Sequence, residues 1–341
     1  MVSSKKYMKN NKLLLDLIQI NSESGKEKEI GEYIFNYLKQ IGLKVEKQFV
    51  NKETGNFNVY AYVGKPKVIF SSHIDTVMTQ LEVRSDTNKI YGRGACDNKS
   101  QIAAAILAAE QALAQNLTNF GLLFTVQEET DFSGAKQALS LLPKCELIVI
   151  GEPTNLDIVK GHNGILVLEL VAKGKTAHGS VPEKGINAIE LLMNDLNAIK
   201  NTNFVSDKIL GKNILNIAKI SGGIADNVVP DYATAVIAFR TVDKSSNILK
   251  QIKELAKSKI NIIFNFEPVS NDIAENLAKK LNLKTKVVRY FTEASILKAK
   301  GKVIILGAGN IREAHSRNEY VLIREFNKLI DIYTNIIKFY F

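Results

Sequence analysis

Cysteine and histidine are both scarce in this 341-residue sequence: Cys96 and Cys145 are its two cysteines, and His73, His162, His178 and His315 its four histidines. Two cysteines make neither a disulfide framework nor a cysteine-built zinc site. The longest wholly apolar run is Ile102 to Ala109, far short of the roughly 20 residues that cross a bilayer, so no membrane association is expected. The lysine-bearing N-terminus has an apolar segment at 13–20, but Asp16 and Gln19 interrupt it and no small-residue cleavage site follows. It reads as an amphipathic helix rather than a secretory signal, and a cytoplasmic protein is expected. Internal repeats and low-complexity linkers are absent. So are Arg-rich or aromatic-interleaved motifs, which argues against nucleic acid as a partner.

What is present is the composition of a globular chain, 45% hydrophobic and 23% charged, long enough for one large domain or two ordinary ones. The net charge is +10. Between Asp243 and Lys302, 13 Lys/Arg face 6 Asp/Glu. Lysines at helical spacing make a solvated face, and the sharper reading is a docking surface for an acidic partner.

Helix and strand patterns alternate over the first 150 residues. Helices are expected at 9–20, 27–41, 98–115 and 133–142, and strands at 44–50, 58–63, 67–72, 121–127 and 146–150. Such alternation predicts an α/β sheet with helices on both faces. The style then changes to strand 164–173, helix 186–200, strands 213–221 and 232–240, helix 247–257 and strand 261–267. This β-α-β-β-α-β order is the split βαβ, ferredoxin-like pattern. The expected fold is therefore an α/β catalytic domain (1–161 and 269–341) with an inserted α+β domain (162–268). A closing amphipathic helix is expected from Glu319.

The chemistry starts at Val68-Ile-Phe-Ser-Ser-His73-Ile-Asp75, an apolar strand ending in a His-x-Asp pair whose side chains project the same way. That pattern suits a metal-ligating imidazole with a carboxylate to orient it. Acidic residues stand at other strand-to-loop junctions: Asp97, the pair Glu128-Glu129, and Glu152. Open α/β sheets bind ligands at strand ends. Two divalent cations bring four positive charges; Asp97, Glu129, Glu152 and a hydroxide balance them, with His73 and His315 as neutral ligands. Zinc suits such donors, with cobalt or manganese as substitutes. Such a metal pair acidifies water and polarises a carbonyl. Glu128 is then spare to act as general base.

Six segments in order, Ser72-His73-Ile-Asp75-Thr-Val77, Tyr91-Gly-Arg-Gly-Ala-Cys-Asp97-Asn-Lys99, Glu128-Glu129, Gly151-Glu152-Pro153, Ala177-His178-Gly-Ser180 and Ala314-His315, resemble the M20 metallopeptidase/deacylase family. That family includes acetylornithine deacetylase and succinyl-diaminopimelate desuccinylase. The resemblance implies a metallopeptidase-type catalytic domain whose insert is a lid and dimerisation domain. It implies that His73, Asp97 and Glu152 hold one metal and that Asp97, Glu129 and His315 hold the other. Asp75 would fix the tautomer of His73, and Glu128 would carry the proton from water to the leaving amine. His178 would reach a partner subunit's site and stabilise the oxyanion. Asn227 and Arg240 would hold a substrate carboxylate. His162 reads as structural, Cys96 as a small packed hydrophobe, and Gly307-Ala308-Gly309 as a turn presenting His315. Two departures from many relatives, Asn98 and Ser100 beside the bridging Asp97, point to a reshaped pocket wall. The loop Phe291-Thr-Glu-Ala-Ser295 departs from the more usual Gly-rich form.

Within that family the short, basic chain resembles archaeal hydrolases that release lysine or ornithine from an acidic amino-group carrier protein, in lysine and arginine biosynthesis. Small-molecule N-acetylornithine or N-acetyl-lysine deacetylation, and succinyl-diaminopimelate desuccinylation, are the alternatives. A broad aminopeptidase or dipeptidase is a further one.

Overall fold

The structure is a computed structural model that describes residues 2–341. The chain divides into two compact units: Met1–Lys160, Asn271–Lys286 and Thr292–Phe341 form one, and Gly161–Ser270 with Val287–Phe291 the other. The sequence puts 287–291 with the catalytic segment, but aromatic packing ties this short piece to the second unit. The Phe291 ring centroid lies 4.9 Å from Phe266 and 5.4 Å from His162, which meets it edge-on. The same division splits the basic stretch 243–302, so its lysines do not form one patch of one unit.

At the centre of the first unit four strands run parallel, in the order Phe120–Thr125, Val68–His73, Leu147–Ile150, Lys302–Ile305. The first three are buried along their whole length, as near-continuous apolar runs require of a sheet covered on both faces. Asn56–Val63 and then Lys44–Asn51 extend it antiparallel on one side. The helix Lys99–Leu113 is buried almost all round, which its alanine-rich, stripe-free sequence demands. It packs against Ile323–Tyr340 and Val2–Gln19. Ile323–Tyr340 is amphipathic and buries Phe326, Leu329, Ile330, Tyr333, Ile336 and Ile337. Its Tyr333 ring lies 4.7 Å from that of Phe70, and the hydroxyl donates to the Leu306 carbonyl at 2.5 Å.

This last helix starts at Ile323 rather than at Glu319. Tyr320–Leu322 instead pairs with Lys89–Tyr91, which pairs with Arg84–Ser85 in a small antiparallel sheet. Strands of two or three residues carry no readable period.

The second unit has the order Gly164–Lys173, helix Ala188–Lys200, Ile214–Gly222, Tyr232–Thr241, helix Ser245–Leu255, Lys259–Phe266. Its antiparallel sheet runs Ile214–Gly222, Tyr232–Thr241, Gly164–Lys173, Lys259–Phe266, the ferredoxin-like arrangement. Leu166, Leu168, Leu170, Ile237 and Phe239 line the face that buries Leu192, Leu196, Ile248 and Ile252 of the helices. The fold is thus α/β with an inserted ferredoxin-like α+β unit. Among the described residues no helix is long and apolar enough to cross a membrane.

Candidate metal centre

All five ligand candidates lie in the first unit, beyond the carboxyl ends of its parallel strands. His73 closes one strand, Glu128 and Glu129 follow a second, Glu152 a third, and His315 sits in the turns after the fourth. Asp97 comes from the turn that leads into Lys99–Leu113. Parallel strands in register bring these ends to one edge, because His73 pairs with Thr125 and Ser71 with Ile150.

Asp97 sits between the two imidazoles. Its Oδ1 is 3.1 Å from His73 Nε2 and its Oδ2 is 3.4 Å from His315 Nε2. Glu152 Oε1 lies 3.9 Å from His73 Nε2, and Glu129 Oε1 lies 2.8 Å from His315 Nε2. Donor atoms of His73, Asp97 and Glu129 fall within 4.8 Å of one another. Two imidazole nitrogens and three carboxylates around a shared Asp97 are a donor set for a pair of divalent cations, so the residues fit the group. His73, Asp97 and Glu152 could hold one cation, and Asp97, Glu129 and His315 the other.

Burial opposes ionisation of Asp97, yet contacts with His315 and His73 outweigh it and hold the carboxyl below its usual range. Hydrogen bonds to Asp97 and Glu129 push His315 up to about 10. Burial drives Glu128 and Glu152 the other way, well above the ordinary carboxylate range.

The supports around these groups explain their placement. Asp75 accepts the Glu128 amide on Oδ1 (3.0 Å) and the Glu129 amide on Oδ2 (3.1 Å), while its carbonyl oxygen meets His73 Nδ1 at 2.9 Å. The His73 tautomer is therefore set by the Asp75 main chain as well as by its carboxylate, which lies 3.5 Å away. Glu319 is fully buried and accepts the amides of Cys96 and Asp97 at 3.0 Å each, with Arg93 Nη1 at 2.7 Å. Asn98 donates to the Gly151 carbonyl and lies 3.5 Å from Glu152 Oε1, so it anchors a ligand strand end. Glu293, also buried, accepts from Thr125 Oγ1 at 2.9 Å, and burial pushes its carboxyl to about 7. Sequence reasoning missed Glu319 and Glu293 as members of this surround. The only signals were an acid placed at a helix start and a loop of unusual composition. Cys96 is buried with Sγ 3.3 Å from the Asn310 carbonyl, and burial raises its thiol pKa.

His178, Asn227 and Arg240 belong to the second unit. His178 bridges to Val228, and the Gly179 amide donates to the Asn227 carbonyl at 2.7 Å, which brings His178 and Asn227 to one end of the sheet. His178 Nδ1 accepts the Ser180 amide at 3.2 Å, with Ser180 Oγ at 2.8 Å. Arg240 is not with them. It lies near the far end of Tyr232–Thr241, paired with Ile214 and Ile165, and eight residues of strand from Tyr232 span about 27 Å.

Comparison with known proteins agrees with this geometry. The profile of Peptidase family M20/M25/M40 matches residues 69–338. A peptidase M20 domain-containing protein of Schizosaccharomyces pombe is 33% identical over 95% of this chain and 82% of its own length. A probable carboxypeptidase of Aspergillus flavus is 34% identical over 94% of this chain and 88% of its own. Among solved structures, a tripeptidase from Staphylococcus aureus superposes with a TM-score of 0.81 at 25% identity, covering 98% of both chains. A strand-edge cluster of two imidazoles and three carboxylates, on a fold shared along nearly the whole chain, makes this protein a member of peptidase family M20/M25/M40 and a hydrolase of amide bonds.

Proposed function

We propose that this hydrolase cleaves the amide formed by an amino acid's α-amine, releasing an amino acid with a free α-carboxylate. The leading substrate is lysine or ornithine carried on an acidic amino-group carrier protein, in lysine or arginine biosynthesis. The observation that carries the reaction is Glu128, a half-buried acid outside the ligand set whose amide is fixed beside that of Glu129. When bound, a pair of divalent cations, zinc foremost and cobalt as a substitute, supplies Lewis acidity for the carbonyl and for the attacking water. Glu128 takes the proton of that water and returns it to the departing amine. His178 stabilises the oxyanion: in a neutral imidazole whose Nδ1 accepts the Ser180 amide, the proton is on Nε2. Arg240 grips the product-side carboxylate, joined by Asn227 only across a subunit interface, since the two stand at opposite ends of the sheet.

The curated relatives named probable carboxypeptidases support the same bond polarity, a released residue with a free carboxylate. The basic character supports an acidic carrier, through steering of encounter over the whole surface. A homodimer formed through the insert fits its sheet. Ile214–Gly222 is an edge strand with exposed Ile214 and Ile220, and unpaired apolar edges invite pairing. Because His178 and Arg240 stand at opposite ends of that sheet, a small substrate meets both only if a partner subunit supplies one. Small-molecule acetylornithine, acetyl-lysine or succinyl-diaminopimelate is the alternative substrate. The likeness to a tripeptidase favours, as a second reading, a peptidase that grips a free α-amine. Initial rates measured side by side separate these, on carrier-linked lysine, carrier-linked ornithine, acetylornithine and an unblocked tripeptide. The proposal expects carrier-linked substrate to be turned over fastest; tripeptide cleavage with no carrier-linked turnover overturns it.

A further inference from the structure

The loop that carries Glu128 and Glu129 has non-glycine residues in the left-handed region, Gln127 at φ 61° and Phe132 at φ 60°. Such backbone persists only when its surroundings hold it. Asn58 holds both ends, with Oδ1 accepting the Val126 amide at 3.1 Å and Nδ2 donating to the Gly134 carbonyl at 2.9 Å. Asp75 holds the middle, through the amides of Glu128 and Glu129. Asp75 is fully buried, so its own carboxylate must be fixed by donors. One donor comes from far away in sequence: Ser24 Oγ, 2.7 Å from Oδ2. The Ser24 backbone is fixed in turn, since its amide donates to the Thr76 carbonyl at 3.1 Å and the Thr76 amide donates to the Ser22 carbonyl at 2.9 Å. Ser24 lies on the connection between Val2–Gln19 and Lys28–Gln40, outside the residues 69–338 matched by the family profile.

We propose that Ser24 is a positioning residue for catalysis: its hydroxyl orients the Asp75 carboxylate, which orients the loop bearing Glu128 and Glu129. The inference rests on the reading of Glu128 as base and Glu129 as ligand. Ser24 does not act on substrate in this account, so its loss lowers turnover rather than binding. Removing the hydroxyl leaves Oδ2 with the Glu129 amide, and the two glutamates sample a wider range of positions than proton transfer tolerates.

The test uses the metal-loaded protein and compares wild type with Ser24→Ala and Ser24→Thr. Ser24→Ala is expected to lower kcat at least about 10-fold with KM changed less than about 2-fold. Amide exchange in the peptide covering 126–130 is expected to speed up by a similar factor, with exchange of the strands Val68–His73 and Leu147–Ile150 unchanged. Ser24→Thr keeps the hydroxyl and restores both readouts. Unchanged exchange at 126–130 in Ser24→Ala overturns the proposal, as does acceleration spread evenly over the molecule. Exchange needs no turnover, so a wild-type chain that hydrolyses none of the amides above sinks the functional reading while leaving this one decidable.

Discussion

Asp75 changes meaning between sequence and structure. Two residues from His73 in the chain, it looks like a partner for that imidazole alone. In three dimensions its two oxygens also take the amides of Glu128 and Glu129, so one carboxylate touches two candidate ligands, His73 and Glu129, and the proposed base Glu128. Nearby Glu27 is equally buried, with Asn56 Nδ2 donating to it at 2.5 Å, and burial pushes its carboxyl from 4.5 to about 7. The native state therefore keeps a proton that the unfolded chain releases between those values. The stability Glu27 contributes is complete below pH 4.5 and is lost as pH rises through about 7. Glu27→Gln has no such proton. Relative to wild type, the variant should gain stability between pH 5 and pH 8, by at most about 3 kcal/mol. Urea unfolding at the two pH values reads this directly, and parallel losses in both proteins would remove Glu27 as the source.

The helix Ser133–Leu141 shows the same dependence on close fit at the level of an element. A Cβ on Gly134 would fall on the Val126 carbonyl oxygen and amide and on Asn58 Oδ1. Alanine normally favours a helix over glycine by up to ~1 kcal/mol, yet here Gly134→Ala should destabilise the protein by about 1–3 kcal/mol. It should also lower turnover, because the displaced loop carries Glu128; thermal melting together with kcat checks both. On the last helix, Tyr333→Phe strips the Leu306 carbonyl of its buried donor and should cost about 1–3 kcal/mol without changing kcat. The central strands were legible because apolar runs such as Phe120–Thr125 are buried on both faces. The candidate ligands His73, Glu129 and Glu152 stood out because they end or follow such runs. What the sequence hid is contact without local period. Tyr320–Leu322 is too short to announce a strand and was absorbed into a helix. Glu319 then looked like a helical first turn when it grips the Asp97 backbone. Ser24 stands 51 residues from Asp75, and no pattern within either segment signals the other.

For the whole molecule, the ferredoxin-like insert was readable from element order alone, while the assignment of 287–291 depended on rings meeting across the sequence. A shared-site dimer makes a sharp prediction. His178→Ala and Arg240→Ala should each be nearly inactive, yet mixing them under subunit exchange should restore about a quarter of wild-type sites, because each heterodimer regains one. No recovery despite demonstrated exchange would put both residues in one subunit's site. The account turns most directly on Glu128. The decisive measurement is kcat for Glu128→Gln in protein whose bound divalent metal is quantified in the same sample. We predict a metal content equal to wild type with turnover lowered by about 10²–10⁴, whereas retained turnover at full metal content would contradict Glu128 as the base.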